Sequence, residues 1–220
     1  GLIRGASGWD AILTFTPPNT TGVLVNDFES STDVSNLLID AKSDIFSSGR
    51  STASDAAGGL LPVEVQLPPG TGRWITFTDV IGVTQAGPGW LQVGPDGGGF
   101  AEGTNIFSSD GISGIYAPRH LFLAGVFLST EEPLIENTPE RLDLISGSTG
   151  IDFVSLAPEI HQSFFIGDGR SSNNLIQSFE VPDDATRLFL GFIDSYEFGW
   201  PDGSQPGFYG DNTGSLDASL

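Results

Sequence analysis

Two segments that echo each other decide the fold: PVEVQLPPGTGRWITFTDVIG at 62–82 and IQSFEVPDDATRLFLGFIDS at 176–195. In each, apolar side chains alternate along a first run, a Pro-containing turn follows, and the alternation resumes, which is typical of half-buried strands. We predict that each segment is a β-hairpin and that the two hairpins face one another across a core about 10 Å thick. The predicted fold class is all-β, a two-sheet β-sandwich of jelly-roll type.

The rest of the chain has the same rhythm. Its 30 glycines and 14 prolines separate short segments of alternating apolar and polar residues. Such punctuation is typical of strands joined by turns. Helical periodicity is weak, and only 34–41 and 143–146 show any. The predicted strands are 11–16, 63–67, 74–80, 120–128, 163–166, 176–181, 187–193 and 213–219.

The length of the chain and a change in its composition indicate the domain organisation. A β-sandwich of about 200–250 residues is commonly one domain, and this chain has 220 residues. Residues 1–37 form a predicted N-terminal extension with one good strand at 9–16, and residues 38–220 form the sandwich domain. A lone strand needs an edge to pair with, either in its own chain or in a neighbouring molecule.

Composition excludes several classes of partner. A formal net charge of −20, from 28 acidic and 8 basic residues, repels nucleic acid and anionic lipid and attracts divalent cations. No apolar run reaches the roughly 20 residues that cross a bilayer, so we predict no membrane insertion. The absence of cysteine excludes disulfides and zinc–thiolate sites. The absence of methionine, even at position 1, favours a secreted protein whose signal peptide has been removed.

The C-terminal stretch GFIDSYEFGWPDGSQPGFYGDNTGSLDASL, from 191 to 220, contains a candidate metal site. Asp194 follows a predicted strand, and the adjacent pair Asp211 and Asn212 precedes the last one. Calcium binds six to eight oxygens from carboxylates, amides and carbonyls. These three side chains are therefore candidate sources of oxygen ligands for Ca²⁺. An acidic surface alone is equally typical of a solvated secreted protein.

The run PGFYGDNTGS at 206–215 resembles the C-terminal signature of the calcium-dependent galactophilic lectins of the LecA type. The resemblance is strong at this end and faint over the rest of 38–220. It implies that Asp194, Asp211 and Asn212 are side-chain ligands of calcium, that Phe208 provides a backbone carbonyl, and that a further carbonyl comes from near Gln85. It also implies that two sugar hydroxyls complete the calcium shell and form hydrogen bonds with the three side chains.

The sequence departs from the lectin pattern in two places. The loop at 195–205 is long and aromatic, and its Tyr196 and Trp200 could stack on a sugar or cap the core. The His and Gln that contact galactose in those lectins have no counterparts in FSSDG at 107–111. Calcium binding is therefore better supported than galactose specificity.

We expect a secreted, non-catalytic, calcium-dependent carbohydrate-binding module. The alternative is a structural subunit of an extracellular fibre, a homo-oligomer assembled by donation of the N-terminal strand, in which calcium has a structural role. Catalysis is not expected. His120 and His161 are interpreted as ordinary core or edge residues, and the acids Glu131, Glu132 and Glu136 as loop residues of an acidic protein rather than as a glycosidase pair.

Overall fold

A computed structural model describes residues 33–53, 58–145, 149–196 and 202–220. The predicted strand at 9–16 and Trp200 lie outside these residues, and the predicted extension at 1–37 stays a prediction. No helix in the described ranges is long and apolar enough to span a bilayer. The strands are β1 Leu37–Asp40, β2 Val63–Gln66, β3 Arg73–Thr76, β4 Asp79–Gln85, β5 Gly98–Ile106, β6 Ile115–His120, β7 Leu123–Leu128, β8 Leu142–Asp143, β9 Ser155–Leu156, β10 Ser163–Phe165, β11 Ser178–Val181, β12 Arg187–Phe192 and β13 Thr213–Ser219.

The described strands form four small sheets that pack around one apolar core. Their strand orders are β10-β7-β12-β2, β3-β11-β9, β1-β13-β4 and β5-β6-β8. Among the pairs that join two of the described strands, β9–β11 and β6–β8 are parallel and the others are antiparallel. Three short 3₁₀ helices complete the described structure, at Ile45–Ser47, Ile135–Asn137 and Tyr209–Asp211. The prediction of an all-β sandwich is confirmed, and the jelly-roll type stays a prediction.

The two predicted hairpins are wrong in their pairing. β2 pairs with β12, with Val65 opposite Leu188, and β3 pairs with β11, with Ile75 opposite Phe179. Each turn thus carries the chain from one sheet to another instead of joining two neighbouring strands. Arg73 holds the two turns together, because its guanidinium donates to backbone carbonyls of both. Alternation fixes which side chains are buried, but it does not fix which strand is the partner.

Some strand boundaries also differ from the prediction. The predicted strand at 74–80 is divided between β3 and β4, and the one at 120–128 is divided between β6 and β7. The second break falls at Leu121, whose φ of 50° is incompatible with an extended strand. The weak helical periodicity at 34–41 was misleading, since this segment contains β1. It alternates only over four residues, too few to separate the two periods.

Phenylalanine dominates the core. Phe164 stacks on Phe127 with centroids 5.1 Å apart, and Phe179 meets Phe77 edge-to-face at 5.9 Å. Burying one such side chain stabilises the fold by about 1.5–3 kcal/mol. β12 runs through the middle of this core, between β7 and β2. The residues immediately after β12 therefore start from a rigid position.

Candidate functional site

The site lies where β12 ends and β13 begins. Asp194 follows β12, and Asn212 immediately precedes β13. The 3₁₀ helix Tyr209–Asp211 connects them through Tyr209, whose side chain is fully buried. The Tyr209 hydroxyl accepts the Asp194 N–H at 3.2 Å and donates to the Phe192 carbonyl at 3.1 Å. Tyr209 thus fixes the end of one central strand to the start of another.

The Asp194 carboxyl is buried, with 1% of the residue exposed. Its Oδ1 accepts the backbone N–H of Ser195 at 2.8 Å, whereas its Oδ2 has no hydrogen-bond partner. Burial raises the pKa of Asp194 to about 7, and the nearby charges of Asp211 and Asp44 act in the same direction. The Asn212 side chain opposes this shift. The protein therefore holds one carboxylate oxygen out of water without a donor.

Asn212 is the second buried polar group of the site. It is fully buried, and its Nδ2 donates to the Ala41 carbonyl at 3.1 Å. Its Oδ1 has no partner. Because the amide nitrogen is held by Ala41, the orientation of the oxygen is fixed as well. Asn212 and Asp194 therefore each contribute a buried, unpartnered oxygen.

Asp211, the third residue of the predicted trio, is exposed, and its charge acts on Asp194. Its backbone N–H donates to the Phe208 carbonyl at 3.2 Å. Its carboxylate lies over the backbone of Gly87, where a Cβ would be only 2.6 Å from Oδ2. The sequence did not point to Gly87. Its φ of +84° is not visible in a glycine-rich sequence.

The two predicted carbonyl ligands occupy different settings. Phe208 has a left-handed backbone, φ 62°, at the entrance to the 3₁₀ helix. Gln85 ends β4 opposite Thr213, and its Nε2 donates to the Trp90 carbonyl at 2.6 Å. Both residues therefore flank the trio, and their roles as ligands stay predictions.

Two exposed aromatic rings, those of Tyr196 and Phe208, contact each other close in sequence to the trio. The ring of Tyr196, 40% exposed, meets the ring of Phe208, 52% exposed, edge-on at 4.9 Å. The Tyr196 ring covers Gly207, where a Cβ would be 2.5 Å from it. Tyr196 is therefore exposed two residues after Asp194, and its contact with a sugar stays a prediction.

Asp44 is a second buried carboxylate near the site that sequence reasoning missed. Its Oδ1 accepts the Phe46 N–H at 2.9 Å, and its Oδ2 accepts the Ser47 hydroxyl at 2.8 Å. It thereby caps the helix Ile45–Ser47. An aspartate followed by a serine three residues later is typical of such a cap, and this was the available signal.

The donor set determines which ions fit. The described ranges contain no group of three or more His, Cys, Asp or Glu side chains arranged to hold a metal. The trio comprises two carboxylates and one amide, all of them hard oxygen donors of the kind that calcium prefers. A buried acceptor without a donor is costly unless something positive satisfies it. The types of donor present are therefore those that calcium uses, and calcium binding itself stays a prediction.

Comparison with known protein families, curated proteins and solved structures gave no match for this chain.

Proposed function

We propose that this protein is a secreted, non-catalytic, calcium-dependent carbohydrate-binding module. Asp194, Asp211 and Asn212 hold the ion at the end of β12. The observation that supports this most directly is the pair of buried oxygens, Asp194 Oδ2 and Asn212 Oδ1, neither of which has a hydrogen-bond donor. A bound cation would satisfy both at once.

Electrostatics favours a doubly charged ion at this position. The chain has a net charge of −20, and the charges of Asp211 and Asp44 both disfavour ionisation of Asp194. A divalent cation reverses that effect, because its attraction for the carboxylates exceeds their mutual repulsion. Phe208 and Gln85 are the proposed sources of backbone carbonyls.

The sugar side of the proposal rests on the exposed residues. Asp194 and Asn212 are buried and are assigned to the ion, so the direct sugar contacts fall to Asp211 and Tyr196. A pyranose ring has an apolar face that packs on aromatic rings, and the pair formed by Tyr196 and Phe208 offers one. When bound, calcium supplies coordination positions for vicinal hydroxyls. The likeness of PGFYGDNTGS to the LecA-type lectins supports the same assignment.

A titration of the protein with a panel of glycans, in calcium and then in EGTA, tests the proposal. We expect binding in calcium only, and a loss of at least about tenfold in Asp211→Asn, which corresponds to about 1.4 kcal/mol. Asp217→Asn is the matched control, since Asp217 is an exposed aspartate of β13 away from the trio. Glycan binding that is unchanged by EGTA would remove the proposal.

A purely structural role for calcium is the second candidate. The burial of Asp194 and Asn212 favours it, because an ion enclosed by them stiffens the junction of β12 and β13 without needing a ligand. In the fibre version of this idea, the strand at 9–16 completes a neighbour's sheet. Deletion of residues 1–20 tests that version: assembly that is unchanged by the deletion excludes strand donation. Calcium-dependent stabilisation without any glycan binding would favour the structural role.

A further inference from the structure

A groove lies around Trp90, after the end of β4, and none of the trio residues lines it. It has a volume of about 440 Å³, which is within the range of small-molecule sites. Trp90 and Leu91 provide its apolar wall, with 37% and 84% of each residue exposed. The residues that line it include Trp90, Leu91, Gln92, Gly98, Gly99 and His120.

The shape of the groove depends on an aromatic wall and a glycine floor. The Trp90 ring lies 5.4 Å from the buried His120 ring. His120 is opposite Gly98 in the β5–β6 pair, and a Cβ at Gly98 would lie only 2.0 Å from the imidazole. The absence of a side chain at Gly98 therefore leaves room for the His120 ring that lies beside Trp90.

One turn connects this groove to the trio. The Trp90 N–H donates to the Gly87 carbonyl at 3.4 Å, and the Trp90 carbonyl accepts from the Gln85 side chain at 2.6 Å. Residues joined by such a turn have Cα atoms within about 7 Å of each other. Gly87 lies against the Asp211 carboxylate. The turn therefore has Trp90 at one end and, at the other, Gly87, which the Asp211 carboxylate approaches.

We infer that the groove is a second sugar subsite and that the ligand of this protein is an oligosaccharide of at least two rings. The inference rests on the proposed function. One ring meets the ion at Asp211, and the next ring stacks its apolar face on Trp90. The exposed Gln92 amide supplies a hydrogen-bond donor and an acceptor for the hydroxyls of that second ring.

The chemistry of the groove favours a neutral sugar. The strongly negative chain repels anionic ligands. A glycine floor beside an indole suits a flat ring with an apolar face and a polar rim, which is the geometry of a pyranose. Because one turn links Trp90 to Gly87, which lies against Asp211, the proposed two rings are neighbours in one chain.

Trp90→Ala tests the inference, with Trp74→Ala as the matched control. Trp74 is another exposed tryptophan, on β3, and it lines no part of the groove. The probes are galactose, glucose, mannose and N-acetylglucosamine, each with its di-, tri- and tetrasaccharides, titrated in calcium. We expect the wild type to bind one oligosaccharide series at least about tenfold more tightly than its monosaccharide. Trp90→Ala should lose that gain and keep its monosaccharide and calcium affinities, and Trp90→Phe should restore part of it.

The outcomes separate this inference from the proposed function. Oligosaccharides that bind no more tightly than monosaccharides, or a gain that survives Trp90→Ala, would overturn the second subsite while leaving a calcium-dependent lectin. A wild type that binds no sugar in calcium would overturn the proposed function and the subsite together. Equal losses of the oligosaccharide gain in Trp90→Ala and Trp74→Ala, with both variants folded, would also contradict the inference, because the gain would then not depend on the Trp90 ring in particular.

Discussion

Two carboxylates of this molecule, Asp44 and Asp194, are equally buried but differ in how many of their oxygens receive a hydrogen bond. Each residue is 1% exposed, and burial raises the pKa of both. Asp44 receives donors on both oxygens, from Phe46 and Ser47. Asp194 receives one on Oδ1, from Ser195, and none on Oδ2.

The difference separates a structural acid from a candidate ligand. A buried carboxylate that is fully satisfied within the chain needs nothing further. One that is half satisfied carries a cost until a cation or a proton neutralises it. The same reasoning applies to Asn212, whose nitrogen is satisfied by Ala41 and whose oxygen is not.

The largest expected effect is that of Asp44→Ala. It leaves the Phe46 N–H and the Ser47 hydroxyl buried without an acceptor, so the free energy of unfolding should fall by about 3 kcal/mol. For a chain of this size, this lowers Tm by about 6–12 °C. Urea and thermal unfolding measure it. Calcium should still stabilise Asp44→Ala, because the proposed ligands remain, and a calcium response abolished by Asp44→Ala alone would break the comparison.

The second-largest expected effect is a change in the free energy of unfolding with pH, caused by the titration of Asp194. The pKa of Asp194 is about 7 in the folded chain against 3.8 ordinarily. Between these values the unfolded chain loses a proton that the folded chain keeps, so stability falls as pH rises from about 4 to about 7. From pH 5 to pH 8 this amounts to about 2–3 kcal/mol.

Urea midpoints in EDTA measure this loss. Asp194→Asn removes the titration of this group, while Asp44 continues to titrate. The difference between the pH profiles of the wild type and the variant therefore gives the contribution of Asp194. Saturating calcium should also remove the loss in the wild type and should do nothing in the variant. Parallel pH profiles for the two proteins in EDTA would show that Asp194 is not the titrating group.

The smallest expected effect is a difference in calcium affinity between two single substitutions, Gly87→Ala and Gly89→Ala. Gly87→Ala places a Cβ 2.6 Å from Asp211 Oδ2 at a backbone φ of +84°. Gly89→Ala has the same strain, φ +89°, with no neighbour within 4 Å. Both should lose about 1 kcal/mol of stability, and only Gly87→Ala should also lower calcium affinity, by a few fold. Isothermal titration measures the calcium affinities of both variants. Equal affinities would show that the position of the Asp211 carboxylate beside Gly87 does not matter for calcium binding.

The sequence predicted where the strands lie along the chain better than it predicted which strands pair. β13 lies where the alternation placed it, and β12 matches to one residue. The pairing of β2 with β12 could not be predicted, because an alternating segment buries the same face whichever strand lies beside it. The turns contribute to this: Arg73 bonds to its own turn at Pro68 and, across 109 or more residues of chain, to the other turn at Pro182 and Ala185.

The residues of the candidate site that the sequence indicated are those that are adjacent or that follow a recognisable strand. Asp211 and Asn212 are adjacent, and Asp194 ends a recognisable strand. The contact between Asn212 and Ala41 joins residues 171 positions apart, and Gly87 meets Asp211 only through the fold. Such contacts leave no local pattern in a single sequence, which is why these two partners were missed.

Diffraction from crystals grown in calcium tests the central claim most directly. We predict an ion about 2.3–2.6 Å from Asp194 Oδ2, from Asn212 Oδ1 and from a carboxylate oxygen of Asp211. A water molecule at that position in saturating calcium, with the Asp211 carboxylate turned to solvent, would contradict the account.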